Sequence, residues 1–117
     1  MTWQQELKTS IRSTQDLLAH LKLSPDDFDD SISTSPSFPV MVTPHYLSLI
    51  DSKSPNDPLL RQVLAIDAES IDLPGFEREP LREEQFMPIP GLIHKYPGRV
   101  LLMTTAGCAI HCRYCFR

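Results

Sequence analysis

Residues 99–117, RVLLMTTAGCAIHCRYCFR, join a short apolar run to all three cysteines of the 117-residue chain. Cys108, Cys112 and Cys115 are spaced C-x-x-x-C-x-x-C, so three thiolates on one bent loop can turn toward a single metal centre. A cluster of the [4Fe–4S] type that only carries electrons is normally held by four cysteines. A set of three leaves one coordination position for a small molecule, and the spacing therefore predicts a catalytic cluster.

The apolar run Val100–Thr104 lies directly before this loop and is bounded by Gly98 and Gly107. A continuous apolar run is typical of a strand that is buried on both faces, as in a parallel sheet covered by helices. In a (β/α) barrel the chemistry gathers at the carboxyl ends of the strands. We therefore expect an α/β protein in which residues 99–117 begin an incomplete (β/α) barrel.

A zinc site is the main alternative for the cysteines. Cys112-x-x-Cys115 has zinc-knuckle spacing, and Cys108 with a histidine would complete a Cys₃His set. His111 is the nearest histidine, but neighbouring residues seldom reach one tetrahedral ion together. A disulfide is disfavoured because the number of cysteines is odd.

The overall composition excludes several classes of function. The net charge is −4 with no basic stripe, which disfavours nucleic-acid binding. No apolar run is long enough to span a membrane, and the first residues do not resemble a signal peptide. The sequence thus predicts a cytoplasmic protein, where thiols stay reduced. It leaves open whether the protein forms a homo-oligomer.

The region 1–66 is predicted to contain short helices. Thr2 and Gln5 form a capping-box pattern, and a cap followed by proline recurs at Ser24-Pro25, Thr43-Pro44 and Asp57-Pro58. The last of these helices is expected to run to about Ile66, with its buried face formed by Leu59, Leu60, Val63 and Leu64. One apolar stripe at helical spacing is expected to face the core from the first helix: Trp3, Leu7, Ile11, Leu18 and Leu21.

Prolines interrupt residues 67–98, which are predicted to form an extended connector. A metal loop close to a chain terminus would be prone to fray. We therefore expect this chain to be the N-terminal portion of a longer enzyme, with little activity alone and no catalytic residue within it.

The cysteine loop resembles the radical S-adenosylmethionine signature C-x-x-x-C-x-aromatic-C, with Tyr114 at the aromatic position. Residues 88–102, PIPGLIHKYPGRVLL, are similar to the segment before the cluster loop of the lysine 2,3-aminomutases. Residues 56–64, NDPLLRQVL, together with Pro74-Gly75-Phe76 and residues 112–117, look like the branch whose β-lysine modifies elongation factor P.

The resemblance implies a pyridoxal 5'-phosphate enzyme that isomerises L-α-lysine to β-lysine, which a separate ligase attaches to elongation factor P. It implies that Tyr114 lies against the adenine of S-adenosyl-L-methionine. It also implies that Lys95, Tyr96 and Arg99 contact the phosphate of pyridoxal phosphate, although Lys95 replaces an arginine of the catabolic enzymes. The family's lysine that holds this cofactor would lie beyond residue 117. A catabolic lysine 2,3-aminomutase and a zinc-binding structural module are the alternatives.

Overall fold

The computed structural model describes residues 1–115; Phe116 and Arg117 lie outside the described residues. The chain divides into two compact units. The first contains residues 1–71 together with the cysteine loop 108–115, and the second contains residues 72–107. The predicted residues of the cysteine site and of the phosphate site therefore belong to different units.

The first helix, α1 (Trp3–Lys8), begins at the predicted capping box. The backbone N–H of Thr2 donates to Gln5 Oε1 at 2.7 Å, and the amide of Gln5 donates to the Thr2 hydroxyl. The predicted continuous stripe from Trp3 to Leu21 is wrong, because α1 ends at Lys8 and the Trp3 side chain is 68% exposed.

A second helix, α2 (Thr14–Leu21), carries the buried end of that stripe. It begins because the Ser13 hydroxyl accepts the amide of Asp16 at 3.0 Å, a cap that the sequence prediction missed. Leu18 and Leu21 are buried as expected. Between the two helices, Ile11 forms an antiparallel bridge with Val42.

The three cap-then-proline signals each begin a short element. Ser24 caps a 3₁₀ turn (Pro25–Asp27), Thr43 caps α3 (Pro44–Leu49) and Asp57 caps α4 (Pro58–Arg61). The last helix is shorter than predicted. Beyond it, the carbonyl of Ala65 accepts the amide of Ser33, and Ile66 bridges to Ile32, so the chain is extended where a helix was expected.

The core of the first unit is formed by apolar side chains of α2, α3 and α4 and of the segments that connect them. Leu17, Leu60, Val42 and Val63 are fully buried. Further members of the same cluster are Leu18, Leu21, Ile32, Val40, Leu47, Ile50, Leu64 and Ala65. A 3₁₀ turn at Asp67–Ser70 closes the unit.

The second unit contains a 3₁₀ turn (Glu83–Phe86) and a hairpin of β1 (Leu92–Tyr96) and β2 (Arg99–Leu102). The predicted connector missed β1. The strand expected at 100–104 is present as β2, but in the described part of the chain it pairs antiparallel with β1, and its four residues are exposed. Gly98, with a φ of 75°, supplies the left-handed position of the tight turn that brings Tyr96 opposite Arg99.

Among residues 1–115, no helix has the length and apolar character needed to cross a lipid bilayer.

Candidate functional site

The cysteine loop packs on the first unit. Cys108 and Cys115 are exposed and Cys112 is half-buried, and among residues 1–115 none of the three forms a disulfide. Ile110, between the first two, packs against the apolar core. Within residues 1–115 the His, Cys, Asp and Glu side chains form no group of three or more that could hold a metal ion. The structure thus brings the three cysteines onto one loop without drawing their sulfurs together.

Backbone hydrogen bonds hold the loop on both sides of Cys112. The amide of His111 donates to the carbonyl of Met41 at 2.9 Å, and the amide of Arg113 donates to the carbonyl of Gln62 at 2.8 Å. A third bond, from the amide of Cys115 to the carbonyl of Cys112 at 3.0 Å, closes a turn between these two cysteines. The middle cysteine is therefore the best fixed of the three.

The side chain of Arg113 is largely buried beside this turn, with 9% of its surface exposed. Its Nε donates to Glu69 Oε1 at 2.9 Å, and its Nη2 forms a short ion pair with Glu69 Oε2. Its Nη1 donates to the carbonyl of Phe38 at 3.0 Å, and the guanidinium lies 5.1 Å from the centre of the Phe38 ring. This is a bidentate arginine–carboxylate pair, a geometry that gives strong hydrogen bonds and fixes the orientation of both side chains.

The ring of His111 also contacts residues of the first unit. It stacks on Phe38 with ring centroids 4.6 Å apart, and its Nδ1 lies 2.8 Å from the carbonyl oxygen of Pro39. The Nδ1–H tautomer donates to that oxygen. His111 thus has a structural role in packing the loop, and in this tautomer its Nε2 keeps a lone pair.

Tyr114 lies beside Cys112, and its side chain is 71% exposed. A hydrogen bond with Cys112 raises the pKa of Tyr114. Burial raises the pKa of Tyr46, and the nearby negative charge of Cys112 adds to the effect. The Tyr46 hydroxyl donates to the carbonyl of Leu59 at 3.0 Å, which fixes its ring.

Tyr114 also lines an open pocket of about 370 Å³ on the surface of the first unit. The ion pair of Arg113 with Glu69 forms part of the same wall. The other lining residues are Arg61, Gln62, Leu64 and Ile66.

In the second unit, a pocket of about 190 Å³ is lined by the three residues predicted to bind phosphate, Lys95, Tyr96 and Arg99. Its other lining residues are the acidic Glu83 and the apolar Ile93, Val100 and Leu101. Tyr96 and Arg99 face each other across the hairpin, and the Arg99 guanidinium carbon lies 4.8 Å from the centre of the Tyr96 ring. A hydroxyl and a guanidinium on one short turn are suitable donors for a phosphate.

The ammonium group of Lys95 contacts residues outside the hairpin. Its Nζ donates to the carbonyl of Leu81 at 2.9 Å and lies 5.4 Å from the centre of the Phe86 ring. These contacts join β1 to the Glu83–Phe86 turn. A phosphate would have to compete with them for the Lys95 ammonium.

Sequence reasoning missed the residues that fix the cysteine loop, namely Phe38, Glu69 and Arg113. The sequence offered one signal for Arg113, which is its position between the predicted ligands Cys112 and Cys115. Its partners could not be found from the pattern, because Phe38 is 75 residues and Glu69 is 44 residues away along the chain.

Comparison with curated proteins finds relatives that align with almost the whole chain. The L-lysine 2,3-aminomutase of Haemophilus influenzae is 39% identical over 115 residues, which cover 98% of this chain and 34% of the relative. Its counterpart from Escherichia coli is 38% identical over 119 residues, with coverages of 98% and 34%. That of Acetoanaerobium sticklandii is 34% identical over 115 residues, with coverages of 98% and 28%.

The chain therefore spans about a third or less of the length of these relatives. No family model matches the chain.

Proposed function

We propose that this chain, which fits a fragment of the lysine 2,3-aminomutase-like family, belongs to an isomerase that converts L-lysine to β-lysine. The observation that carries the proposal is the alignment of 98% of the chain with proteins of that name. Within the alignment lies a loop that carries three cysteine thiols with the spacing C-x-x-x-C-x-x-C. The activity is that of the complete protein, with residues 1–66, 67–98 and 99–117 as its helical region, its connector and the beginning of its barrel.

Cys108, Cys112 and Cys115 would hold the [4Fe–4S] cluster. The donor set fits, because three thiols lie on one loop and thiolates are the ligands that hold iron–sulfur clusters. When bound, the cluster and S-adenosyl-L-methionine supply the radical that begins the rearrangement. The exposed ring of Tyr114 would provide an apolar surface for the adenine.

Tyr96 and Arg99 would hold the phosphate of pyridoxal 5'-phosphate, with Lys95 at the edge of the same pocket. The fit rests on a guanidinium and a hydroxyl at one tight turn, where the Arg99 side chain is positioned by its stacking on Tyr96. Arginine can orient a phosphate through parallel N–H donors, whereas lysine acts as a point charge. The chain would thereby orient the cofactor, which supplies the ring chemistry of the reaction.

We further propose that the enzyme acts in the cytoplasm and that its β-lysine is used by a ligase to modify elongation factor P. Support comes from the segments 56–64, 74–76 and 112–117, which resemble that branch of the family. A catabolic lysine 2,3-aminomutase is the alternative, and the two roles differ in what consumes the product.

The test is to express the complete reading frame that encodes this chain and to reconstitute the protein anaerobically with iron and sulfide. We expect about four irons per chain, a spectrum of the reduced protein that changes on adding S-adenosyl-L-methionine, and β-lysine formed from L-lysine. Replacing Cys108, Cys112 or Cys115 by serine should abolish all three. A colourless protein that holds one zinc per chain would overturn the proposal in favour of a zinc-binding module.

The two physiological roles are separated by a second experiment. A strain that lacks the gene is examined by mass spectrometry for β-lysylated elongation factor P. Loss of the modification, restored by supplied β-lysine, supports the proposed role. The catabolic role is supported if elongation factor P has its unmodified mass in the parent strain and the mutant fails to grow on lysine.

A further inference from the structure

We infer that Arg113 is a positioning residue, which fixes Cys112 through its ion pair with Glu69 so that the loop is ordered before any cluster is bound. The inference rests on the proposed function for its biological meaning, since the loop needs this order to hold a cluster. Its physical content, a selective restraint on one thiol, can be measured in the iron-free protein.

The first observation is that Arg113 uses three of its nitrogens within the first unit. Its Nε and Nη2 bind the two carboxylate oxygens of Glu69, and its Nη1 binds the carbonyl of Phe38. Because the side chain is only 9% exposed, these bonds are shielded from water and from salt. A guanidinium held in this way orients the backbone that carries it.

The second observation is that this backbone is held next to Cys112. The amides of His111 and Arg113, on either side of the cysteine, donate to Met41 and Gln62. A one-residue spacing between these two bonds leaves the backbone of Cys112 little freedom. Cys108 lies outside this pair of bonds and is exposed.

The third observation is that Glu69 is itself held in place. It belongs to the turn Asp67–Ser70, whose Asp67 amide donates to the carbonyl of Ser31 at 2.9 Å. The Ser31 hydroxyl donates to the Asp67 carboxylate at 2.5 Å. The turn that carries Glu69 is therefore anchored beside the bridge between Ile32 and Ile66, and Ile32 belongs to the core.

Ligand loops bind well when surrounding contacts fix their geometry in advance. Loss of the ion pair should allow the loop to open locally while the rest of the unit stays folded. This predicts a change in the reactivity of Cys112 that is larger than any change at Cys108.

The experiment measures the alkylation rate of each cysteine in the iron-free protein from the complete reading frame, assigned by fragmentation mass spectrometry. The readout is the ratio of the Cys112 rate to the Cys108 rate. We expect R113Q and E69Q each to raise this ratio by about tenfold. R113K keeps the positive charge but loses the bidentate pairing with Glu69. Its ratio should therefore lie between those of R113Q and the unaltered protein.

The matched control is R61Q. Arg61 forms an ion pair with Asp30 at 2.6 Å and lines the same pocket as Arg113, but it lies outside the cysteine loop and its side chain is 41% exposed. We expect its ratio to match that of the unaltered protein. General unfolding would also raise the ratio, because Cys108 is already exposed and Cys112 is half-buried. Each variant is therefore checked for an unaltered circular dichroism spectrum and thermal unfolding midpoint, and a raised ratio supports the inference only where both are retained.

Two outcomes overturn the inference: a ratio that is unchanged in both R113Q and E69Q, or an equal rise in R61Q. Iron uptake by the unaltered protein is scored separately. Failure to bind iron with an altered ratio in the variants rejects the proposed function and keeps the restraint. Normal iron binding with an unaltered ratio in the variants rejects the restraint alone.

Discussion

The ring of His111 stacks on the ring of Phe38, with their centroids 4.6 Å apart and their planes inclined by 19°. The same phenylalanine ring lies under the guanidinium of Arg113. Two residues that flank Cys112 along the chain therefore share one aromatic partner. Phe38 precedes the loop by some seventy residues, so this contact joins distant parts of the sequence.

Replacing Phe38 by alanine should loosen the cysteine loop. The substitution removes an aromatic stacking contact and a cation–π contact, each worth about 0.5–1.5 kcal/mol. We expect hydrogen exchange at the amides of His111 and Arg113 to become about tenfold faster. Exchange measured by mass spectrometry on peptides that contain these amides tests the prediction.

Phe76→Ala is the control for this substitution. Phe76 lies in the second unit and its side chain is 80% exposed. Truncation of an exposed side chain usually changes stability by less than about 0.5 kcal/mol. Equal acceleration in both variants would show that the stacking on Phe38 does not hold the loop.

The local signals in the sequence predicted where helices begin. Thr2, Ser24, Thr43 and Asp57 each cap the element that follows them, because capping depends only on residues two or three apart. The ends of the elements were predicted poorly. The chain leaves α4 because Ala65 and Ile66 pair with residues 32 and 33, and such distant partners are not visible in a local pattern.

The apolar spacing around α4 predicted burial better than it predicted helix length. Leu60 is fully buried and belongs to the cluster that includes Leu17, Val42 and Val63. Leu60→Ala should destabilise the first unit by about 2–5 kcal/mol, since it removes buried area and leaves a cavity. A fall in the thermal unfolding midpoint of several degrees is the expected measurement.

Leu49→Ala provides a matched comparison, because Leu49 is in the neighbouring helix α3 with 55% of its surface exposed. Its unfolding midpoint should stay within about a degree or two of the original. If the two leucines proved equally costly to truncate, the assignment of the core around Leu60 would be wrong.

The candidate sites were predicted unevenly for a similar reason. The cysteine spacing is a local pattern, and the metal site that it indicates stays a prediction, because the described residues 1–115 form no group of three metal-binding side chains. The partner of Lys95 is Leu81, fourteen residues earlier, in a segment that the sequence described only as an extended connector. The antiparallel partner of β2 lies in the same segment, and the alternation that would mark β1 is masked by its polar residues.

Arg99→Gln should weaken the binding of pyridoxal 5'-phosphate, if Arg99 holds the phosphate as proposed. A lost charge-assisted hydrogen bond is worth about 1.5–3 kcal/mol, which corresponds to a decrease in affinity of roughly 10-fold to 150-fold. Titration of the cofactor into the protein, followed by its absorbance, measures this change. Arg78→Gln is the control, because Arg78 is an exposed arginine of the same unit that pairs with Asp72.

Lys95→Gln should have a much smaller effect on the same titration. The Lys95 ammonium already donates to the carbonyl of Leu81 and lies against the Phe86 ring, so a phosphate would gain it only by breaking these contacts. We expect a decrease in affinity below about threefold, in keeping with the small net energy of an exchanged hydrogen bond. At the same time, hydrogen exchange should accelerate in the Glu83–Phe86 turn that Lys95 joins to β1. A loss of affinity equal to that of Arg99→Gln, with unchanged exchange in the turn, would instead make Lys95 a direct phosphate ligand.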